Sequence, residues 1–123
     1  VQSDYADVIV KYAIKPTEFE IQSRLYEQLN FELVLDDNGC DVKPETTAYI
    51  DDDIGIRFDL MVFKNQYPIC GIEVKRNKYQ PQKIANKQKA KYNYFTVCTG
   101  IPVLYCFSMD EIPSIIRRVK EWL

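Results

Sequence analysis

The sequence IRFDLMVFKNQYPICGIEVK, residues 56–75, decides the fold of this chain. Two apolar runs, residues 56–63 and 69–75, flank a five-residue segment with the composition of a turn. Apolar side chains alternate with others in each run, which predicts two β-strands joined as a hairpin with one apolar face and one charged face. The predicted apolar face carries Phe58, Leu60, Val62, Cys70, Ile72 and Val74.

The register of this hairpin determines which charged residues meet. If the hairpin is symmetric about Gln66, Phe63 faces Ile69 and Asp59 faces Glu73, and the apolar faces of both strands coincide. Directly opposed side chains have Cβ atoms roughly 4.5–5.5 Å apart, so the two carboxylates would repel each other. A divalent cation between them explains this arrangement, because Mg²⁺ is typically held by one or two carboxylates. The alternative is a solvated sheet face without a function.

The same register places Arg57 opposite Lys75, a second pair of like charges beside the first. A sheet selected only for stability would pair opposite charges across the strands. The combination of opposed acids, opposed bases and matching apolar faces therefore favours a functional site over a solvated face.

Patterns in the rest of the chain predict further helices and strands. Thr17 to about Leu29 reads as a helix with Thr17 as its cap, because Ile21, Leu25 and Leu29 line one face. The other predicted elements are a strand at Phe31–Leu35, a turn at Asp36–Gly39, a short strand near Thr46–Ile50, a helix from Pro81 to about Cys98, a strand at Pro102–Phe107 and a helix from Asp110 to Trp122. This order predicts an α/β fold in which helices flank a mixed central sheet.

Length and composition exclude several classes of protein. A chain of 123 residues suits one domain, with residues 1–16 as an N-terminal extension of uncertain structure. There is no histidine, which removes the commonest general base and most catalytic zinc sites. No apolar run approaches the ~20 residues that a membrane span requires. Four cysteines without a Cys-x-x-Cys motif favour buried, reduced thiols in a cytoplasmic protein.

The net charge of −2 conceals an uneven distribution. Residues 36–53 contain seven acids and one base, whereas residues 75–91 contain seven bases and no acid. The basic stretch predicts either a polyanion partner or a solvated helix face, and by itself it favours neither.

The hairpin resembles a known motif. Arg57-Phe58-Asp59 followed by Gly71-Ile72-Glu73-Val74-Lys75-Arg76 is similar to the core of the PD-(D/E)xK nuclease superfamily, with Phe58 in place of the proline that often precedes the Asp. The resemblance runs from about Thr17 to Phe107 and implies a restriction-endonuclease-like core in α-β-β-β-α-β order.

Two outer features extend the resemblance. Gln88 and Tyr92 match the Gln-x-x-x-Tyr motif of the RecB-like branch, although an amphipathic helix would also place such a pair on one face. The spacing further resembles the N-terminal nuclease region of type I restriction endonuclease motor subunits, and similar small phage or mobile-element nucleases. Glu20 matches the acid that many relatives carry on the first helix, but Thr17-x-x-Glu20 is also a capping box; Glu18 and Glu27 are weaker candidates.

The resemblance implies phosphodiester hydrolysis, with DNA favoured over RNA, and a Mg²⁺ or Mn²⁺ ion that activates a water molecule. Asp59, Glu73 and the Val74 carbonyl would bind this ion, and Glu20 would act through a bound water or a second ion. Lys75 would orient the water or stabilise the transition state, and Gln88 would orient Lys75 or the phosphate. The implied nucleic-acid contacts are Arg57, Arg76, Lys78, Lys83, Lys87, Lys91 and Tyr92.

Two other interpretations remain open. The chain could be a catalytically silent nuclease-like module that binds nucleic acid or a protein partner. Alternatively, the hairpin could be ordinary core and the basic stretch a solvated face. For an active enzyme we expect no membrane partner, and specificity that comes from a homodimer, a larger parent chain or complex, or substrate shape.

Overall fold

A mixed sheet with helices on both faces forms the described part of the chain. The computed structural model describes residues 16–35, 39–75 and 82–123, and of residues 82–85 it describes only the backbone. The helices are α1 (Glu18–Leu29), α2 (Gln82–Thr99) and α3 (Ile112–Glu121), with a π-helical turn at Asn30–Val34 and a 3₁₀ turn at Met109–Glu111. The strands are β1 (Cys40–Tyr49), β2 (Gly55–Lys64), β3 (Tyr67–Val74) and β4 (Val103–Cys106).

The four strands lie side by side in the order β1-β2-β3-β4. The pairs β1–β2 and β2–β3 are antiparallel, and β3 pairs with β4 in parallel after the crossover through α2. The mixed sheet with flanking helices, in the order α-β-β-β-α-β, confirms the predicted fold class.

The segment after α1 is helical, so the predicted strand at Phe31–Leu35 is wrong. Leu33 is buried and follows Ile21, Leu25 and Leu29 at a constant spacing of four residues. A wider π-helical turn keeps this row on the core side, because each turn then contains more residues than an α-helical one. Helical packing therefore overrides the strand-like composition of the segment. Residues 36–38, most of the predicted turn, lie outside the described residues.

β1 is much longer than the short strand predicted near Thr46–Ile50. It begins at Cys40 and pairs with β2 as far as Tyr49 except at Glu45, although only Cys40 and Val42 of its side chains are buried. A strand at the edge of a sheet can be this polar, because the backbone hydrogen bonds to its single neighbouring strand suffice to hold it in the sheet. The acidic composition of residues 40–53 is therefore the reason why the sequence did not predict the full length of β1.

The hairpin register is confirmed over most of its length and wrong near its turn. Leu60 pairs with Ile72 and Val62 with Cys70, as symmetry about Gln66 requires. A shift after Val62 then pairs Phe63 with Pro68 instead of Ile69. The extra residue on β3 is a β-bulge, which sequence periodicity does not reveal.

Both faces of the hairpin are buried, contrary to the prediction of one apolar and one charged face. Leu60 and Val62 join the larger core, which lies under α1 and α3. Phe58 and Met61 join a second core on the opposite face, where α2 contributes Tyr92 and Phe95. Phe58 and Leu60 therefore lie on opposite faces of the sheet, and the regular alternation of faces along β2 is broken at Asp59.

A local irregularity accompanies this change of face. The β1–β2 register, within the described residues, is continuous from Cys40 to Tyr49 except at Glu45, which would pair with Asp59. Glu45 has a φ of 48°, in the left-handed region that residues other than glycine rarely adopt. Asp59 thus lies where the regular ladder is interrupted, and its backbone groups find other partners.

The outer elements match the predictions in most respects. Thr17 caps α1, accepting a hydrogen bond of 3.1 Å from the Glu20 N–H. Asp110 is not the cap of α3, because a 3₁₀ turn precedes the helix; Pro113 lies in the first turn as predicted. The four cysteines, all within the described residues, are reduced thiols. Among the described helices, none combines the length and apolar character that crossing a membrane requires.

Candidate functional site

Two crossed hydrogen bonds join Asp59 to the adjacent residues Glu73 and Val74. The Asp59 N–H donates to Glu73 Oε1 over 3.0 Å, and the Val74 N–H donates to Asp59 Oδ2 over 2.7 Å. The regular β2–β3 ladder ends at the pair Leu60–Ile72, and these two hydrogen bonds join the strands beyond it, so the direct opposition of Asp59 and Glu73 stays a prediction. Each carboxylate therefore binds the backbone of the opposite strand, and the two acids lie side by side at the end of the hairpin.

Glu73 is buried, with 5% of its surface exposed. Burial raises the pKa of its carboxyl, and the charge of Asp59 raises it further. A hydrogen bond from the Tyr92 hydroxyl, the Asp59 N–H and the charge of Lys75 act in the opposite direction and lower this pKa. The charge of Asp59 therefore adds to the free energy needed to ionise the buried carboxyl of Glu73.

Lys75 lies beside Glu73, with its Nζ 3.6 Å from Glu73 Oε2. Its backbone N–H donates to the Cys106 carbonyl over 2.8 Å, which extends the contact between β3 and β4 by one residue. The side chain of Lys75 is 14% exposed, so this ion pair is largely shielded from water. Asp59, Glu73 and Lys75, predicted as the centre of the site, are therefore brought together.

Tyr92 belongs to this cluster, but not as a solvent-facing contact. It is 3% exposed, and its ring packs against Phe58 with ring centroids 5.2 Å apart. Burial, followed by the charge of Glu73 and the hydrogen bond to it, strongly raises the pKa of the Tyr92 hydroxyl, which is therefore a donor at neutral pH. The predicted contact with a nucleic-acid backbone is not available to this side chain as it stands, because its hydroxyl binds Glu73. Gln88, one helical turn earlier, is half-buried.

Tyr105 is a neighbour of the site that sequence reasoning missed. It pairs with Glu73 in the parallel β3–β4 ladder, and its ring meets the Tyr92 ring edge-on with centroids 5.9 Å apart. Burial raises the pKa of its hydroxyl, and the charge of Glu73 adds to this. Alternation along β4, with Leu104 and Cys106 in the larger core, would have indicated its face, but the pairing with Glu73 needed the parallel register.

Helix α1 contacts the site through Gln22, another residue that the sequence did not reveal. Gln22 Nε2 donates to the Asp59 carbonyl over 3.2 Å, so the helix binds the backbone group that the irregular ladder leaves available. At 3.6 residues per turn, Glu20 lies about 200° around the helix from Gln22, and Glu18 about 40°. Glu18 and Glu20 are both exposed; Glu20 contributes its backbone N–H to the cap at Thr17, whereas Glu18 shares the helix face of Gln22.

The predicted nucleic-acid contacts are only partly described. Arg76 and Lys78 lie outside the described residues, and so does the side chain of Lys83. Lys87 and Lys91 are exposed on α2, and Lys91 Nζ lies 5.1 Å from the centroid of the Tyr92 ring. These two lysines are four residues apart, so they share one face of the helix.

Arg57 is not paired with Lys75 as the symmetric hairpin predicted. Within the described residues, the β2–β3 ladder ends at Leu60 and Ile72, short of Arg57 and Lys75. The Arg57 guanidinium lies 3.2 Å from Glu45 in an exposed ion pair. A surface pair of this kind contributes roughly 0–1 kcal/mol, so an anionic ligand could replace Glu45 at low cost.

The donor set of the site suits a hard cation. Carboxylate and carbonyl oxygens are the ligands that Mg²⁺ and Mn²⁺ prefer, and Asp59, Glu73 and the Val74 carbonyl supply them. Each carboxylate oxygen can accept more than one bond, so the two crossed hydrogen bonds leave acceptor capacity. A cation would also relieve the repulsion that raises the pKa of Glu73. Among the described residues, no group of three or more His, Cys, Asp or Glu side chains could hold a metal ion.

Comparison with known proteins adds no relative to this geometry. No protein-family model matches the chain, and no curated protein or solved structure matches it either. Any function assigned to this chain therefore rests on the geometry of its own residues.

Proposed function

We propose that this chain is a metal-dependent nuclease of the PD-(D/E)xK type, which hydrolyses phosphodiester bonds, with DNA as the favoured substrate. One observation carries the proposal: the carboxylates of Asp59 and Glu73 lie side by side with Lys75 in a largely buried site. A fold without a use for these charges would be more stable with apolar residues there. The resemblance to RecB-like nucleases, and within them to the nuclease region of type I restriction endonuclease motor subunits, belongs to the same proposal.

The residues that would hold Mg²⁺ or Mn²⁺ are Asp59, Glu73 and the Val74 carbonyl. Such an ion, when bound, supplies Lewis acidity toward the phosphate and lowers the pKa of water. Lys75, which already contacts Glu73, would stabilise the additional negative charge that develops on the phosphate during hydrolysis. Tyr92 would keep Glu73 in place through the hydrogen bond that its hydroxyl donates to the Glu73 carboxylate.

The acid contributed by α1 is proposed to be Glu18 rather than Glu20. Gln22 contacts the Asp59 carbonyl, and Glu18 lies on the same helix face one turn earlier. Both acids are exposed, but Glu20 is turned away from that face, beside the cap that Thr17 provides. Lys87 and Lys91 on α2, with Arg57 on β2, would provide contacts to phosphates that depend on salt but little on sequence.

The test is DNA cleavage in Mg²⁺ or Mn²⁺ by the wild type, Asp59→Ala and Lys75→Ala. Asp52→Ala is a matched control, because Asp52 is an exposed acid in the β1–β2 loop. We expect cleavage by the wild type and by Asp52→Ala, and a loss of at least about a hundredfold in the two site variants. Equal cleavage by all four proteins would indicate contamination and refute the mechanism. DNA binding without metal dependence and without cleavage would support the silent module instead.

A further inference from the structure

Tyr105 is placed against Glu73 by the backbone of the sheet. The two residues pair directly in the parallel ladder between β3 and β4. Neighbouring strands lie about 4.7–4.9 Å apart, and paired residues project from the same face. The side chain of Tyr105 therefore lies next to the carboxylate that the proposed function assigns to the metal.

The hydroxyl of Tyr105 is buried and has no hydrogen-bond partner within the described residues. Buried polar groups are nearly always paired, so an exception calls for an explanation. The ring cannot easily turn the hydroxyl toward water. It packs edge-on against Tyr92 and stacks on Phe107 with an interplanar angle of 13° and centroids 6.3 Å apart.

In the present arrangement Glu73 does not use this hydroxyl. Its carboxylate accepts hydrogen bonds from the Asp59 N–H and from Tyr92, and Lys75 lies 3.6 Å away. A carboxylate has about four acceptor positions, so one further donor can be accommodated. The donor most easily lost is the Asp59 N–H, because a cation held between the two acids would pull Glu73 Oε1 away from it.

We infer that Tyr105 is a positioning residue, whose hydroxyl donates to Glu73 when a divalent cation draws the carboxylate away from the Asp59 N–H. This inference rests on the proposed function, since it needs a cation at Asp59 and Glu73. Glu73 exchanges one donor for another, so that its charge remains stabilised in both arrangements. Tyr92 donates to the carboxylate in both states, and Tyr105 replaces the Asp59 N–H in the metal-bound state.

A purely structural role for Tyr105 predicts something different. The ring fills space beside Tyr92 and Phe107, and a phenylalanine fills the same space. On that interpretation, removal of an unpaired hydroxyl leaves cation binding unchanged. The two interpretations therefore differ in how Tyr105→Phe binds metal, while both expect a folded protein.

The experiment compares the wild type, Tyr105→Phe, Tyr92→Phe and Tyr67→Phe. Tyr67 is 74% exposed at the start of β3, so Tyr67→Phe is a matched control for loss of a hydroxyl. Mn²⁺ binding is measured by titration calorimetry, and stability in the absence of metal by urea unfolding. We expect Tyr105→Phe to bind Mn²⁺ about tenfold more weakly than the wild type, with an unchanged or higher urea midpoint without metal. Tyr92→Phe should lower that midpoint, and Tyr67→Phe should change neither quantity.

Each other outcome overturns a specific claim. If the wild type binds Mn²⁺ and Tyr105→Phe binds it equally well, the role of Tyr105 is refuted and the proposed function stands. If Tyr105→Phe lowers the metal-free midpoint as much as Tyr92→Phe, the hydroxyl already serves the resting protein and the inference is wrong. If the wild type and Tyr67→Phe bind no Mn²⁺, the proposed function fails and the inference fails with it.

Discussion

The contact between Gly71 and Phe58 gives the sharpest test of how this site is packed. A Cβ atom built on Gly71 would lie 2.6 Å from Cδ1 and 2.7 Å from Cε1 of the Phe58 ring. Ordinary contacts between carbon atoms are about 3.5–4.0 Å, so the overlap is about 1 Å. Phe58 is fully buried, and its ring centroid lies 4.9 Å from that of Phe95, so it has little room to retreat.

For Gly71→Ala we therefore expect a net destabilisation of about 2 kcal/mol. Overpacking a well-filled core typically costs about 1–3 kcal/mol, and this overlap with a confined ring falls in the upper half of that range. The reduced freedom of the unfolded chain returns about 0.4–1 kcal/mol. With an unfolding slope of about 2 kcal/mol per molar urea, the midpoint should fall by about 1 M.

The assay is urea unfolding of the wild type, Gly71→Ala and Gly100→Ala. Gly100 is the matched control, because its φ of 74° strains an alanine while no atom lies within 4 Å of the added Cβ. Backbone strain alone should cost about 1 kcal/mol there. In Gly71→Ala combined with Phe58→Leu, the smaller side chain should restore part of the loss at position 71. A cost below about 0.5 kcal/mol for Gly71→Ala, or no coupling to Phe58, would refute the packing described here.

Three further predictions concern charges and packing. Because the pKa of Glu73 is raised in the folded state, this residue stabilises the metal-free fold below its unfolded pKa of about 4.3 and loses that contribution as pH rises through the folded value. Glu73→Gln should therefore be about 1 kcal/mol more stable than the wild type in urea at pH 7, and less so at pH 4; a variant less stable at both pH values would contradict this sign. Glu18→Gln should reduce cleavage more than tenfold while Glu20→Gln leaves it nearly unchanged; the reverse order in the nuclease assay would show that Glu20 is the helix acid. Leu25→Ala, at a fully buried position of α1, should cost about 2–5 kcal/mol in the same urea assay, and a cost near zero would mean that α1 does not pack as described.

Periodicity predicted the hairpin, α1 and the order of elements because these features depend on local sequence. Thr17 followed by apolar residues at four-residue spacing specifies a capped helix, and the symmetry about Gln66 predicted the register from Leu60–Ile72 to Val62–Cys70. The prediction was wrong at Phe31–Leu35, because the composition of this segment suits a strand whereas the packing of Leu33 keeps it helical.

The sequence predicted which residues lie at the centre of the candidate site but missed two at its edge. Asp59, Glu73 and Lys75 lie on or directly after two strands that are consecutive in the sequence, so their proximity can be predicted from local patterns. Gln22 and Tyr105 approach through the packing of a helix and a parallel strand, whose registers are set by long-range contacts.

The interrupted ladder at Asp59 has a consequence for the motions of the hairpin. At this end, two backbone amides that would ordinarily be held by carbonyls are held by the carboxylates of Asp59 and Glu73. A carbonyl is fixed in the chain, whereas a carboxylate can rotate away at the end of its side chain. The exchange rates of the Asp59 and Val74 amide protons with deuterated water should therefore increase whenever the two carboxylates move. The amide of Ile72, in the regular ladder, should keep its protection.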